Sequence, residues 1–148
     1  MCVKLRVDAN CGKPMCKTCA HIVLTDTFIS HITGQVYSIR QSTNCTSSNS
    51  VYLIECRICG VQYVGETGND VRERMRNHRS TIKHYQKHTD KPVASHFSLP
   101  HHSLDDLRLI IIESLGKQSK FRRLHRETFW INTLRSTSPL GLNLPTAT

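Results

Sequence analysis

The chain has 148 residues, 38% of them apolar, and carries twenty Lys and Arg against eleven Asp and Glu, for a formal charge of +9 and a pI near 9.5. That length supports one domain burying roughly 70% of the surface its unfolded form exposes, and the basic excess favours a polyanionic partner. No apolar run approaches the ~18 residues a membrane span needs, and the charged start MCVKLRVDANC is no secretory leader, so a reducing compartment and no membrane partner are expected.

Residues 1–45 lack helical periodicity, are rich in Cys, Thr, Ser and Asn, and contain short extended patches at 21–25 and 36–40. Such a segment cannot bury a core by itself, so a bound metal is expected to hold it together. From Ser50 the pattern changes to two short strands, VYLIE and VQYVG, each bearing a tyrosine, with Cys56-Arg57-Ile58-Cys59-Gly60 where a hairpin turn belongs. Gly68-Asn69-Asp70 is a helix-start signal, and DVRERMRNHRSTIKHYQK continues with helix formers. Lys91-Pro92 ends that helix or opens a short one through Val93 and Phe97. After the loop SLPHHS comes a third strand, LRLIIIES, whose apolar run predicts a central position buried on both faces. Gly116 stops it, KQSKFRRLHRETFWINTLR reads as a second long helix, and Pro139 and Gly141 open an irregular tail. The expected fold class is α/β (α+β), a small three-stranded mixed or antiparallel sheet flanked by helices over residues 49–148, preceded by a Cys-rich, zinc-binding segment over residues 1–48.

Six of the seven cysteines fall in or near two groups, Cys11, Cys16 and Cys19 with Cys45 downstream, and Cys56 with Cys59. In a reducing compartment such spacing indicates zinc rather than disulfides. Cys56 and Cys59 need two more ligands, which His96 and His102 can supply as a structural site, with His101 the rival for the last place. The fourth ligand of the upstream group is Cys45 or His21, with Cys45 preferred.

Helical spacing puts Val71, Arg74, Met75 and His78 on one face, so that Val71 and Met75 point at the sheet and carry Arg74 and His78 to its edge. A half-buried arginine beside two tyrosines needs an anion, and a phosphate would satisfy it. Arg72, Arg76 and Arg79 project elsewhere and read as solvated charge. On the last helix Phe121, Leu124, Thr128, Ile131 and Leu134 define an inner stripe, and Glu127 falls within it. A carboxylate there is either ion-paired with an arginine of the first helix or a ligand for a hard cation such as Mg²⁺. Two tyrosines, an inward Arg, a His and an inward Glu together make a phosphodiesterase site.

Val51-Tyr52, Tyr63-Val64-Gly65, Val71-x-x-Arg74-x3-His78, Arg126-Glu127-Thr128-Phe129-Trp130-Ile131 and Gly141-Leu142-Asn143 resemble, in order, the successive motifs of the GIY-YIG nuclease superfamily. The resemblance is nearest to the endonuclease domain of Penelope-like retroelements, which similarly carry Cys-x-x-Cys between the tyrosine strands, a GET after the second tyrosine and an HS dipeptide that aligns at His102. It implies a metal-dependent DNA endonuclease making target-site cuts for retrotransposition. Tyr52 and Tyr63 would position or deprotonate water, Arg74 bind the scissile phosphate with His78 beside it, Glu127 hold Mg²⁺ or Mn²⁺, and Asn143 support the site. Gly65, Arg72, Arg76, Lys120 and Arg123 are the expected substrate contacts, Gly65 because a missing side chain lets DNA backbone approach. One or two structural zincs, a nuclear location inferred from the substrate, and a reverse transcriptase partner outside this chain complete the expectation. Ser50 stands where the first motif's glycine belongs, and the alternatives are a decayed zinc-dependent nucleic-acid-binding module or a structure-specific repair nuclease of the same superfamily.

Overall fold

In a computed structural model that describes residues 13, 16–23 and 25–145, the alternating apolar residues of 50–67 pair as a hairpin, β3 (Ser50–Cys56) with β4 (Gln62–Thr67). Ahead of it lies a smaller hairpin, β1 (Thr27–Ile29) with β2 (Val36–Ser38). The chain continues through α1 (Val71–Lys83), a short α2 (Pro92–Phe97), β5 (Leu107–Ser114) and α3 (Lys120–Leu134). The main sheet has the order β4-β3-β5 and is antiparallel throughout. The stop and start signals act as the residue types dictate. The Asp70 carboxylate caps α1 by accepting from Glu73 N at 2.8 Å, Pro92 opens α2, and Ser119 caps α3.

Two apolar layers sandwich this sheet. Val71, Met75 and Ile82 of α1 and Val93, Ala94 and Phe97 of α2 pack on Tyr52, Ile54, Leu109 and Ile111. On the other face Trp130 and Leu134 of α3, with Phe28 and Ile39 from the N-terminal segment, cover Val51, Leu53, Val64, Ile110 and Ile112.

Three expectations are corrected here. β5 is an edge strand, and β3 is the central one. Its unbroken apolar run reflects layers on both faces rather than two strand neighbours, while its outer edge takes a parallel bridge from Ile22 to Leu109. Second, the N-terminal segment supplies core residues instead of relying on metal alone, because Phe28 and Tyr37 pack edge-on against Trp130 at ring centroid separations of 5.2 and 5.3 Å. Third, the inner stripe of α3 is rotated. Phe121 is 84% exposed and Thr128 is also exposed, because burying Trp130 and Leu134, four residues apart, points positions 121 and 128 outward.

Candidate active site

Tyr52 lies opposite Gly65 and Tyr63 opposite Ile54 in the β3–β4 register, so both phenols project from the α1 face. Beside them β5 carries a bulge, with Val51 opposite Glu113 but Tyr52 opposite Ile111. Arg74 and His78, one turn apart on α1, reach the same point. The Tyr52 oxygen stands 2.7 Å from His78 Nε2 and accepts from Arg74 Nε at 3.2 Å. His78 also meets the Tyr63 ring edge-on at 6.0 Å.

Their electrostatics fix the direction of this chain. Burial, and after it the neighbouring Tyr63, push the Tyr52 phenol well above the usual tyrosine range, so it keeps its proton. Burial and the Arg74 charge lower His78 to about 3. The ring is therefore neutral, and Nε2 accepts the Tyr52 hydroxyl. Burial likewise raises Tyr63. For Arg74 burial opposes the charge, but the two phenols outweigh it and its pKa rises.

Glu127 comes from α3, which packs on β4, the strand bearing Tyr63. Its carboxylate is half-buried, and among the described residues it makes no hydrogen bond or ion pair. Burial first, then the Glu66 charge, raise it to about 7 against the opposing pull of Arg74 and Arg123. It is close enough for its charge to raise both phenols. The expected ion pair with an α1 arginine is not formed, which leaves the Glu127 carboxylate as a hard oxygen donor of the kind a divalent cation takes, while the neighbouring Glu66 is held by Arg123.

Other expected residues fall elsewhere. The space over Gly65, reserved in the sequence reading for DNA backbone, holds the Tyr52 ring. A Cβ at Gly65 would lie 2.3 Å from the phenol carbon and oxygen. Arg123 is engaged with Glu66 at 2.6 Å and with Asn49 at 2.7 Å, so it braces α3 against β4. Lys120 is exposed, Arg76 pairs with Glu73, and Arg72 lies 4.0 Å from Asp70. Asn143 pairs with the backbone of Val64 in both directions at 2.8 Å and accepts from Ser136 Oγ at 2.6 Å, which holds the strand between Tyr63 and Gly65. Glu66 was missed in the sequence, and its only signal there is its place one residue after Gly65.

Against this geometry, a protein-family model, the GIY-YIG catalytic domain, matches residues 48–140. The chain belongs to the GIY-YIG family. Its activity class is therefore that of a nuclease, with nucleic acid as substrate, and GIY-YIG nucleases generally depend on a divalent metal. No curated protein and no solved structure matches the chain. Asn143 lies just beyond the matched segment, and among the described residues no helix is long and apolar enough to cross a membrane.

Two further groups of side chains could hold metal in this GIY-YIG protein. Cys56, Cys59, His96 and His102 bring one donor atom each within 4.8 Å of one another. Gly60, at φ +79°, lets the turn fold back so that its N–H reaches the Cys56 carbonyl at 2.8 Å. His102 Nδ1 donates to the Pro100 carbonyl at 3.0 Å, which leaves Nε2 unprotonated and shielded beside the Cys59 thiol, with no well-aligned hydrogen bond among the described residues. An unprotonated imidazole nitrogen aimed among two sulfurs and a second imidazole fits a tetrahedral zinc. Burial raises the Cys56 thiol, whereas the Val61 amide and His102 overcome partial burial to lower Cys59. His101 is exposed at φ +65° and takes no part in this group. Upstream, Cys16, Cys19 and Cys45 form the second group, with Cys16 and Cys45 sulfurs 3.8 Å apart. His21 is bonded to the Leu107 carbonyl at 2.9 Å, and Cys11 lies outside the described residues.

Proposed function

We propose that this protein is a metal-dependent DNA endonuclease that nicks duplex DNA, derived from a Penelope-like retroelement and acting in target-site cleavage for retrotransposition. The observation that carries the reading is the half-buried Glu127, without an ion pair among the described residues, beside the Arg74–Tyr52–His78 chain. What supports the Penelope-like origin is the Cys56-x-x-Cys59 pair between the tyrosine strands, with the GET and HS segments.

In this reading Arg74 binds the non-bridging oxygens of the scissile phosphate and offsets the charge that grows on them. Tyr52 and Tyr63 orient the attacking water. Tyr52 takes the water's proton as it passes its own to His78 Nε2. Once phosphate neutralises Arg74, one of the two causes holding His78 low is removed, and the ring becomes a better acceptor. Glu127 would hold Mg²⁺ or Mn²⁺, whose chemistry there would be Lewis-acid stabilisation of charge on the phosphate. Asn143 keeps the tyrosine strand in place, and Arg72, Arg76 and Lys120 meet backbone phosphates.

In this reading the chain divides into a zinc-linked segment over 1–48 and the nuclease domain over 49–148. Zinc on Cys56, Cys59, His96 and His102 pins the hairpin turn to the loop before β5, and Cys11 completes a second zinc with Cys16, Cys19 and Cys45. The substrate implies a nuclear location and cooperation with a reverse transcriptase. The test is supercoiled plasmid with purified protein and Mg²⁺ or Mn²⁺. Open circles that accumulate before linear DNA are expected, and no cleavage under any divalent metal would overturn the reading.

A further inference from the structure

A hollow of about 1010 Å³ lies away from Tyr52, between the Cys-rich segment and α1. Lys13 and Lys17 line one wall, and Arg72, Arg76, Arg79 and Lys83 line the other. The four α1 cations recur at steps of four, three and four, which makes a straight stripe about 16 Å long. That stripe is centred roughly 170° around the helix from Arg74, the flank facing the tyrosines. The two walls are fastened together. Arg79 donates to Thr18 Oγ1 at 3.1 Å, and the Arg72 and Val71 amides donate to the Cys45 and Ser47 carbonyls at 2.7 and 2.9 Å. Asp70 and Glu73 answer Arg72 and Arg76 at the rim, so six cations face two acids.

We infer that this groove binds the sugar–phosphate backbone of duplex DNA flanking the cut, a segment distinct from the linkage held at Arg74. The proposal rests on the nuclease reading for its choice of DNA. Crowded cations with too few acids need polyanion, and a straight file of them matches a backbone. Among the described residues lining the groove none is Phe, Tyr or Trp, so it lacks the stacking platforms that single strands use. Because the helix is about 10–12 Å across, a phosphate on this flank cannot be the one beside Tyr52. The metal-type group of Cys16, Cys19 and Cys45 then has a function in recognition: it sets the wall that carries Lys17.

The test is fluorescence anisotropy on the full chain with no Mg²⁺ added, using DNA duplexes of about 12 and about 30 base pairs over a salt series. Lys17 and Lys83 are exposed, and their double Ala variant is compared with the double Arg variant. The Ala pair should lower the slope of log affinity against log salt by about 2 and weaken the longer duplex about tenfold or more. The shorter duplex should lose less, and the Arg pair should restore the slope. An unchanged slope, or an equal loss on both lengths, overturns the proposal. Tighter binding of an RNA duplex of the same sequence, with the larger loss there, overturns the choice of DNA. Reduced slope in a protein that never nicks plasmid would support the groove and sink the nuclease reading, whereas normal nicking with unchanged slope would do the reverse.

Discussion

The Tyr52 hydroxyl is held 2.7 Å from His78 Nε2, and both residues are buried. This contact orients the phenol proton away from Arg74, whose Nε–H occupies the other side of the oxygen. Tyr52→Phe removes the proton path while keeping the ring. Nicking should fall about 10²–10⁴-fold, and the unpaired Arg74 and His78 should lower stability by about 1–3 kcal/mol in urea unfolding. Nicking within about threefold of the wild type would exclude this phenol from proton transfer.

His78 also predicts how stability depends on pH. Its pKa is about 3 in the fold against 6.5 for the free residue, through burial and the Arg74 charge, with Tyr52 and Tyr63 the other groups facing it. Between those values the unfolded chain binds a proton that the folded chain does not. The contribution is therefore complete above about pH 6.5 and is lost as pH falls toward 3. From pH 7 to pH 5 the loss from this residue is about 2 kcal/mol. Denaturant unfolding at the two pH values should show a difference that His78→Gln reduces by that amount. An identical pH difference in both proteins would contradict the assignment.

At Gly65 the chain has no room for a methyl group, because the Tyr52 ring fills the place. Gly65→Ala must displace that ring and break its contacts with Arg74 and His78. Overpacking of this kind costs about 1–3 kcal/mol, and nicking should fall by at least as much as in Tyr52→Phe. Wild-type activity with a normal melting profile would show that the ring moves aside freely.

The zinc reading distinguishes two adjacent histidines. His102→Ala should lose one zinc per chain by elemental analysis and lower the melting temperature, because its Nε2 is the shielded, unprotonated donor. His101→Ala should keep the full one or two zincs. Equal metal content in both variants would remove His102 from the ligand set.

How far the sequence could be read depended on how local each cause is. Asp70, Pro92 and the Cys56–Gly60 turn act through neighbours in the chain, so their structural effects were legible. The placement of Arg74 and His78 followed from helical period and the apolar Val71 and Met75. Glu127 was legible as an inward carboxylate, but its stripe was misjudged at Phe121 and Thr128, because the packing of Trp130 against Phe28 and Tyr37 sets the rotation of α3. The position of β5 at the sheet edge was hidden for a related reason, since two covering layers give the same apolar run as two strand partners. Glu66 and Arg123 meet across 57 residues, a pairing that no periodicity encodes, and so Arg123 read as a DNA contact.

The central measurement is plasmid nicking by Glu127→Ala beside the wild type, in Mg²⁺ and in Mn²⁺, with circular dichroism to verify the fold. Removing a half-buried carboxylate that forms no hydrogen bond or ion pair among the described residues should leave the melting temperature unchanged or slightly higher, and nicking should disappear in both metals. If Glu127→Ala nicks at the wild-type rate, the cation is not held at Glu127 and the proposed site is wrong.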